Sequence, residues 1–318
     1  MNFHWFRRIG LISLLGVSAL VAACGGSDEA PPADIATTAA LTPDLSILAE
    51  ALDAAALTDT LKSAGPFTVF APTNAAFGAL LADLGITKEA LFADKALLTA
   101  VLTYHVLGAE VPKASVPVGS PITTLQGGYF KIDVVGSDLV FTDGRNRTGK
   151  ITATDVDATN GVIHIVDTVL LPADKNIVQT AVALSTAATP EFTILVEALV
   201  AAGLTDTLSG TGPFTVFAPT DAAFAALLEE LGISKEALLA DTPLLTSVLT
   251  YHVVPGLVLK ADVPVDTAIA TVQGESFTID STLTITDQRD RQAGIAATDV
   301  LASNGVIHVI DKVILPAP

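Results

Sequence analysis

The nonapeptide Gly65-Pro-Phe-Thr-Val-Phe-Ala-Pro-Thr73 occurs a second time, without a single change, at Gly212 to Thr220. The neighbouring residues keep the same spacing, because Tyr104-His105 returns 147 residues later as Tyr251-His252. A repeat period this long indicates two tandem globular domains and not a solenoid of small units that depend on their neighbours. The length of 318 residues also corresponds to about two domains of ordinary size.

A third motif shows where the two copies differ in length. Asn160-Gly-Val-Ile-His164 returns at residues 304–308, a distance of 144, so the second copy has lost three residues before this point. The loss falls where Asp133 to Leu139 corresponds to Asp280 to Leu283, and it predicts a shorter turn between two strands. The second copy also has extra residues near Leu184 to Ala188.

The boundary between the copies is placed at about Leu171 to Lys175, with a linker at about Ala173 to Asn176. Such a short linker predicts limited independent motion of the two domains.

Helix and strand signals alternate in the first half of each copy. Thr42-Pro43-Asp44 is typical of a helix start, and an apolar stripe of Leu45, Leu48, Leu52 and Ala56 follows it. In the second copy, Thr189-Pro190-Glu191 predicts the same start. The run Phe67 to Ala71 predicts a strand covered on both faces, and Thr73 predicts the N-cap of the next helix. Glu89 to Thr103 is predicted to be one further helix.

The second half of each copy is predicted to be mostly strands. In the first copy the β-favouring runs are Tyr129–Val135, Leu139–Thr142, Ile151–Thr154 and Val162–Leu171, separated by Gly, Asp and Asn as in antiparallel hairpins. The dipeptides Asn160-Gly161 and Asn304-Gly305 are typical of turns and are expected to fix the register of the closing strand. Helices followed by strands indicate an α+β fold.

Together these motifs resemble the fasciclin domain. The nonapeptide extended by Asn/Asp-Ala-Ala-Phe, the central Tyr-His pair and the Asn-Gly-Val-Ile-His box stand in the same order in both copies. The resemblance covers about Asp34 to Pro172 and Asn176 to Pro316. It implies two tandem fasciclin domains, each a wedge of helices packed on a mixed, mostly antiparallel seven-stranded sheet. It also implies a role in cell adhesion or matrix attachment, and a position on the cell surface or outside the cell.

The N-terminus predicts an exported lipoprotein. Arg7 and Arg8 precede an apolar run at residues 9–21, which is short for a membrane span and typical of a signal peptide. The following Leu-Val-Ala-Ala-Cys24 resembles the lipobox of bacterial lipoproteins, in which the cysteine receives a diacylglyceryl group. An ordinary secretory signal that happens to end near Cys24 is the alternative. Gly25 is not the aspartate associated with inner-membrane retention, so the resemblance favours an anchor in the outer membrane or at the cell surface.

We therefore predict a signal peptide at residues 1–23, a flexible tether at 24–33, and fasciclin domains at 34–172 and 176–316. The small, acidic, Pro-containing composition that indicates a tether continues from Gly25 as far as Ala40.

Charge and cysteine content exclude several classes of partner and site. Removal of Arg7 and Arg8 with the signal takes the formal charge from −18 to −20, which repels nucleic acid. A single cysteine excludes an intramolecular disulfide and a Cys-rich zinc site. No catalytic motif is present, so we expect no enzyme activity and no cofactor.

Tyr104, His105, Tyr251 and His252 are the candidate binding residues. In the fasciclin family the corresponding Tyr-His motif, flanked by aliphatic residues, is associated with integrin binding. Core packing is nevertheless the favoured interpretation, because a bacterium has no integrin and the flanking residues are apolar. His164 and His308 interrupt apolar runs in both copies, but two imidazoles alone make an incomplete metal site, and no bound metal is expected.

The remaining charged residues are interpreted as surface ion pairs or solvated turn residues. Arg145 and Arg147 recur as Arg289 and Arg291, and they are expected to pair at the surface with Asp143 and Asp287, or alternatively to meet an acidic polymer. The acids Asp155, Asp157 and Asp167 recur in part as Asp299 and Asp311 and are interpreted as solvated turn residues. The sequon Asn146-Arg147-Thr148 is expected to be an exposed hairpin turn.

The sequence thus predicts a non-enzymatic, surface-anchored adhesion protein whose partners are cell-surface or matrix proteins or polysaccharides. The alternative is a binding module for a lipophilic small molecule, such as a carotenoid or lipid, held in an apolar seam between sheet and helices. A hydrolase is the third and least favoured class.

Overall fold

The two copies fold into the same succession of helices and strands. A computed structural model describes residues 32–189 and 191–318, and residues 32–318 form one compact unit. The predicted signal peptide, Cys24 and most of the predicted tether lie outside the described residues.

The elements of the first domain run from Ile35 to Val166. Its helices are α1 (Ile35–Leu41), α2 (Ser46–Ala54), α3 (Thr58–Lys62), α4 (Asn74–Leu84), α5 (Lys88–Ala93) and α6 (Lys95–Tyr104). Its strands are β1 (Phe67–Pro72), β2 (Val106–Leu107), β3 (Pro121–Thr123), β4 (Tyr129–Val135), β5 (Asp138–Thr142), β6 (Thr148–Ala158) and β7 (Gly161–Val166).

The second domain repeats this series from Ile177 to Ile310. Its helices are α7 (Ile177–Ser185), α8 (Thr193–Ala201), α9 (Thr205–Leu208), α10 (Asp221–Leu231), α11 (Lys235–Ala240) and α12 (Thr242–Tyr251). Its strands are β8 (Phe214–Pro219), β9 (Val253–Pro255), β10 (Ile269–Ala270), β11 (Ser276–Ile279), β12 (Thr284–Thr286), β13 (Gln292–Ala302) and β14 (Gly305–Ile310).

Each domain contains one mixed sheet of seven strands. In the first domain the order is β2-β1-β7-β6-β5-β4-β3, and the second domain has the equivalent order. Among the named strands only β1 with β7, and β8 with β14, pair in parallel, while the other neighbours are antiparallel. The predicted α+β fold with a mostly antiparallel seven-stranded sheet is confirmed.

Strand β1 is buried on both faces, as its sequence predicts. Val69 and Ala71 belong to the core between the sheet and the helices, whereas Phe70 belongs to a second core on the other side of the sheet. Phe70 packs edge-on against Phe130 with ring centroids 5.1 Å apart. The repeated nonapeptide therefore joins the two cores of each domain.

The Asn160-Gly161 turn sets the pairing of β7 with β1. Gly161 has a φ of +149°, and a Cβ built there would lie 1.9 Å from the carbonyl oxygen of Phe67. The Asn160 amide donates to the carbonyls of Leu61 and Ser63 and accepts from the amide of Ile35. The turn therefore connects the sheet to two helices, a role that its sequence did not predict.

Part of the chain with tether-like composition is folded. Residues 35–41 form α1, which begins at the N-cap Asp34, whose carboxylate accepts from the amide of Thr37. Ile35, Ala36 and Ala39 are buried in the first core. The tether interpretation of residues 35–40 was wrong because small residues, which look unable to fold alone, pack closely against neighbouring helices.

The predicted helix over residues 89–103 is interrupted. Asp94 lies outside both α5 and α6, with a φ of −82° and a ψ of +83°, and its carboxylate accepts from the amide of Leu97 to start a new helix. An aspartate competes for backbone amides, and here it acts as an N-cap within an apolar pattern. Similarly, Ala56 lies beyond the end of α2 and is exposed, and the strand predicted to reach Leu171 ends at Val166.

The start of α8 differs from its sequence prediction. The helix begins at Thr193 and not directly after Thr189, and Phe192 stands before it with a φ of +65°. Asp221 of α10 caps it by accepting from the amides of Thr193 and Ile194. Pro190 lies outside the described residues.

The predicted length differences fall where expected. The β11–β12 hairpin is shorter than β4–β5, and the extra residues of the second copy lengthen α7 and the loop that follows it. Among the described residues no single helix has both the length and the apolar composition to cross a bilayer; one pair, α1 with residues 43–54, has them together but is bent by 109°.

Candidate functional site

Each tyrosine of the Tyr-His pairs supports the first residue of a strand. The Tyr104 side chain is completely buried, and its hydroxyl donates to the carbonyl of Tyr129 at 2.5 Å. Tyr251 donates in the same way to the carbonyl of Ser276 at 3.0 Å. Burial raises the pKa of both phenols, that of Tyr251 to about 12, so both are neutral donors.

Each histidine of the Tyr-His pairs bonds the last turn of a helix, α6 or α12, to the segment that follows strand β7 or β14. The Nδ1 of His105 lies 2.7 Å from the carbonyl oxygen of Val101, and its Nε2 lies 2.9 Å from the amide of Leu170. His252 makes the same two contacts, with Val248 and Ile314, at 2.7 and 3.1 Å. Nδ1 must donate and Nε2 must accept, which defines a neutral imidazole of one tautomer.

Burial lowers the pKa of His105 and of His252 to about 4, although the hydrogen bond from Nδ1 to the helix carbonyl acts in the opposite direction. Both histidines are therefore uncharged at neutral pH. The structure brings each Tyr-His pair together inside a domain core, where all four side chains are 0–2% exposed. Direct contact of these residues with a partner stays a prediction, and in this structure the polar atoms of both rings are used internally.

His164 and His308 hold a bulge in the long hairpin of each domain. His308 Nε2 lies 2.9 Å from the carbonyl oxygen of Val258, and its Nδ1 lies 3.3 Å from the amide of Asp299. His164 makes the equivalent contacts with Val111 and Asp155. Among the described residues no cluster of three potential metal ligands occurs.

The Asp-x-Arg-x-Arg turns are built around a buried carboxylate. Asp143 is 0% exposed, and its Oδ1 accepts from the amides of Arg145 and Arg147. Its Oδ2 accepts from the amide of Leu171 at 3.0 Å and from the guanidinium of Arg147 at 2.9–3.0 Å. Asp287 is likewise buried and accepts from the corresponding amides. The predicted pairing of Arg147 with Asp143 is present, but the carboxylate does not lie at the surface, because the turn folds over the segment that follows β7 and removes it from solvent.

The two domains meet through a tyrosine of the first that enters an apolar site on the second. Tyr129 packs against Leu257, Leu259, Leu301 and Val306, of which the last three are at most 1% exposed. Its hydroxyl lies 2.7 Å from the carbonyl oxygen of Ala302 and 2.5 Å from that of Gly305. Burial raises the pKa of Tyr129.

Two polar contacts flank this tyrosine. Lys131 Nζ lies 2.8 Å from Oδ2 of Asp299 and 3.0 Å from Oδ2 of Asp133. Burial opposes the charge on Lys131, but the hydrogen bonds to these two carboxylates raise its pKa overall. The Asn146 amide donates to the carbonyl of Leu301 and accepts from its amide, at 3.0 and 2.7 Å. Asn146 is therefore an interdomain contact and not simply an exposed turn residue.

We name the residues Tyr129, Lys131 and Asn146 the plug face of the first domain. The socket face of the second domain consists of Leu257, Leu259, Asp299, Leu301 and Val306. Sequence reasoning missed this site. The one available signal was the difference between the copies, since Leu301 stands where the first copy has Asp157.

Two cavities bear on small-molecule binding. An enclosed apolar cavity beside Phe224, Leu245 and Val248 in the second domain measures only about 70 Å³, well below the usual volume of a ligand pocket. A groove of about 540 Å³ lies at the domain junction, between Arg145, Lys175, Leu184 and Val300. Of these two spaces, only the groove at the domain junction reaches the volume of an ordinary ligand pocket.

The fold and these contacts define a protein of two α+β domains joined head to tail, whose buried histidines and carboxylates serve the scaffold. The fasciclin domain matches residues 43–172 and 190–316, which is most of the chain. The chain therefore belongs to the fasciclin-domain family, and the predicted pair of tandem domains is confirmed.

Similar proteins occur in animals and bacteria. Human periostin is 27% identical over 266 residues, which are 82% of this chain and 29% of periostin. Protein sll1483 of Synechocystis is 46% identical over 128 residues, 39% of this chain and 67% of that protein. Rat stabilin-2 is 30% identical over 237 residues, 69% of this chain and 15% of stabilin-2. The chain thus spans less than a third of the length of periostin.

A solved structure of a FAS1 domain pair from the insect cell adhesion molecule fasciclin I aligns with 88% of this chain and 98% of that chain. The TM-score is 0.43 and the sequence identity 20%.

Proposed function

We propose that this protein is an exported, non-enzymatic adhesion protein that contacts cell-surface or matrix proteins or polysaccharides through its two fasciclin domains. Membership of the fasciclin-domain family over most of the chain is the observation that carries the proposal. The four described histidines support a scaffold role, because both ring nitrogens of each are bonded to backbone groups.

The proposal includes the processing and the boundaries that the sequence predicts. Residues 1–23 are a lipoprotein signal peptide, Cys24 carries the lipid anchor, and residues 24–33 are the tether that precedes domains at 34–172 and 176–316. The anchor places the protein at the bacterial outer membrane or cell surface. Periplasmic and released forms are the other outcomes that a localisation experiment distinguishes.

Deletion of the gene should reduce attachment of cells to matrix-coated surfaces, and the full chain should restore it. A Cys24→Ser chain should be released from the envelope and should fail to restore attachment, because it lacks the acyl chains that hold the protein at the membrane. Lipid labelling and protease treatment of intact cells measure the anchor and the exposed side. Attachment, aggregation and biofilm formation equal to the parent in the deletion strain would refute the adhesion proposal.

The Tyr-His pairs are tested by variants that preserve the core. Tyr104→Phe and Tyr251→Phe remove only the hydroxyls that bond the carbonyls of Tyr129 and Ser276. Loss of attachment at an unchanged melting temperature would support direct binding by these residues. Attachment that changes only in step with melting temperature would assign Tyr104, His105, Tyr251 and His252 to the scaffold alone.

A lipophilic ligand is the second candidate function, and the groove at the domain junction supports it. Val300, Leu301, Ala183 and Leu184 supply apolar surface, while Arg145 and Lys175 both pair with Asp174 in the same groove, which suits a mainly apolar molecule. Protein purified from its native cells should then carry such a molecule, detected by mass spectrometry. An extract free of ligand, with no rise in melting temperature on adding fatty acid or carotenoid, would exclude this function.

A further inference from the structure

The contact between the domains is head to tail, so each domain also carries a counterpart of the face that it does not use. The plug face belongs to the first domain and the socket face to the second. Contacts of this kind form open arrays when the same two faces remain free at the ends. Two outer faces remain: the face of the first domain that is equivalent to the socket, and the face of the second domain that is equivalent to the plug. Their side chains decide whether separate copies of the chain can associate end to end.

The unused socket of the first domain is acidic where the working socket is apolar. Glu110 stands at the position of Leu257 and Asp157 at that of Leu301, and both acids are exposed. Pro112 replaces Leu259. A tyrosine ring entering this face would meet two carboxylates in place of two leucines, and it would have to desolvate them without a partner.

Two elements of the socket are retained, the carboxylate and Val162, which stands at the position of Val306. Asp155 has a φ of +59°, close to the +63° of Asp299, and its Oδ1 accepts from the amide of Lys113 as that of Asp299 accepts from Lys260. The outer face thus keeps the backbone shape and the carboxylate of a socket, and it differs in the side chains that receive the plug.

The unused plug of the second domain has lost every side chain that makes the contact. Ser276 stands at the position of Tyr129, Thr278 at that of Lys131 and Asp290 at that of Asn146. Asp290 has the same left-handed backbone as Asn146, with φ of +57° and +62°. The carboxylate of Asp290 cannot donate to a backbone carbonyl, and in a contact between two copies it would meet the acidic face of the other chain.

We propose that these substitutions cap the domain pair at both ends, so that the plug-and-socket contact forms once within the chain and not between copies. The partner that the outer faces exclude is a second copy of this chain. The exclusion combines the missing aromatic side chain, the missing lysine and repulsion between carboxylates. The inference does not depend on the adhesive role, because it concerns only how copies of the chain meet.

Two variants test this proposal, one with the socket side chains restored on the first domain and one with the plug side chains restored on the second. Because each variant has only one restored face, a mixture can form dimers but not long polymers. The socket variant carries Glu110→Leu and Asp157→Leu, and the plug variant carries Ser276→Tyr, Thr278→Lys and Asp290→Asn. By sedimentation velocity the wild type and each variant alone should be monomeric, whereas an equimolar mixture should form a complex of twice the monomer mass. Adding Asp155→Asn to the socket variant should weaken the complex about tenfold or more, because it removes the partner of the new lysine.

A matched control places the same charge away from the face. Replacing Thr278→Lys by Thr282→Lys in the plug variant keeps the net charge and should weaken the complex about as much as Asp155→Asn does, because the displaced lysine no longer reaches that carboxylate. Melting curves establish that each variant is folded, and the double change Ser276→Tyr and Thr278→Lys, mixed with the socket variant, serves if the triple change unfolds the chain. Folded variants that stay monomeric when mixed, or a wild type that already stacks end to end, would overturn the proposal.

Discussion

Replacing Asp143 with alanine should lower the free energy of unfolding by about 3–5 kcal/mol, the usual cost of removing one partner from a buried charge pair. The carboxylate is fully buried and receives the amides of Arg145, Arg147 and Leu171 together with the Arg147 guanidinium. Alanine leaves these donors without their acceptor and disconnects the turn from the segment after the closing strand. Urea unfolding followed by circular dichroism measures the change.

Asp138, the first residue of β5, provides the matched control five residues earlier. Its ion pair with Lys150 is exposed, with side chains 47% and 57% accessible, so Asp138→Ala should change the free energy of unfolding far less than Asp143→Ala does. Asp287→Ala should resemble Asp143→Ala, because Asp287 has the same backbone partners. Equal small effects of Asp143→Ala and Asp138→Ala would show that the buried carboxylate does not hold the turn.

Acidification from pH 7 to pH 4 should remove about 3 kcal/mol of stability for each of His105 and His252. Their folded pKa of about 4 lies below the value of about 6.5 in the unfolded chain, so the unfolded state binds more protons between these two values. Stability therefore rises with pH across this window and is lost as pH falls through it. The physical reason is that protonated Nε2 can no longer accept from the amides of Leu170 and Ile314.

The His105→Gln/His252→Gln double variant separates this effect from the titration of carboxylates. It should be less stable than the wild type at pH 7, and its free energy of unfolding should fall less steeply between pH 7 and pH 4. Nuclear magnetic resonance of the ring protons should also show both imidazoles neutral at pH 5 in the folded wild type. Titration of either ring near 6.5 in the folded protein would contradict the assignment.

Local patterns predicted the elements that depend on neighbours in sequence. Strand β4 was predicted at its observed limits, and Thr73 caps α4 by accepting from the amide of Ala76, as expected of a threonine before an apolar helical pattern. The break at Asp94 has a local cause, but two other predictions failed because a distant residue intervenes. Asp221 supplies the cap of α8 from another helix, and α1 is ordered by packing and by the Asn160 side chain 125 residues away.

The same distinction applies to the site residues. The Tyr-His dipeptides were recognised from the motif, but their function in the fold depends on Tyr129 and Leu170, which lie 25 and 65 residues further along the chain. The plug and socket faces depend on pairs separated by more than 150 residues, such as Lys131 with Asp299 and Asn146 with Leu301. No spacing rule for helices or strands connects such positions.

The sequence by itself determined that the chain contains two tandem α+β fasciclin domains, because an unchanged nonapeptide and two further motifs recur in one order. It also determined most strands, which follow from residue type and period. Only the tertiary structure decided which backbone groups the repeated polar residues bond, that Asp143 and Asp287 are buried, and that one pair of faces joins the domains. The reason is that burial, desolvation and hydrogen-bond partners are properties of groups brought together by folding, and a linear pattern does not contain them.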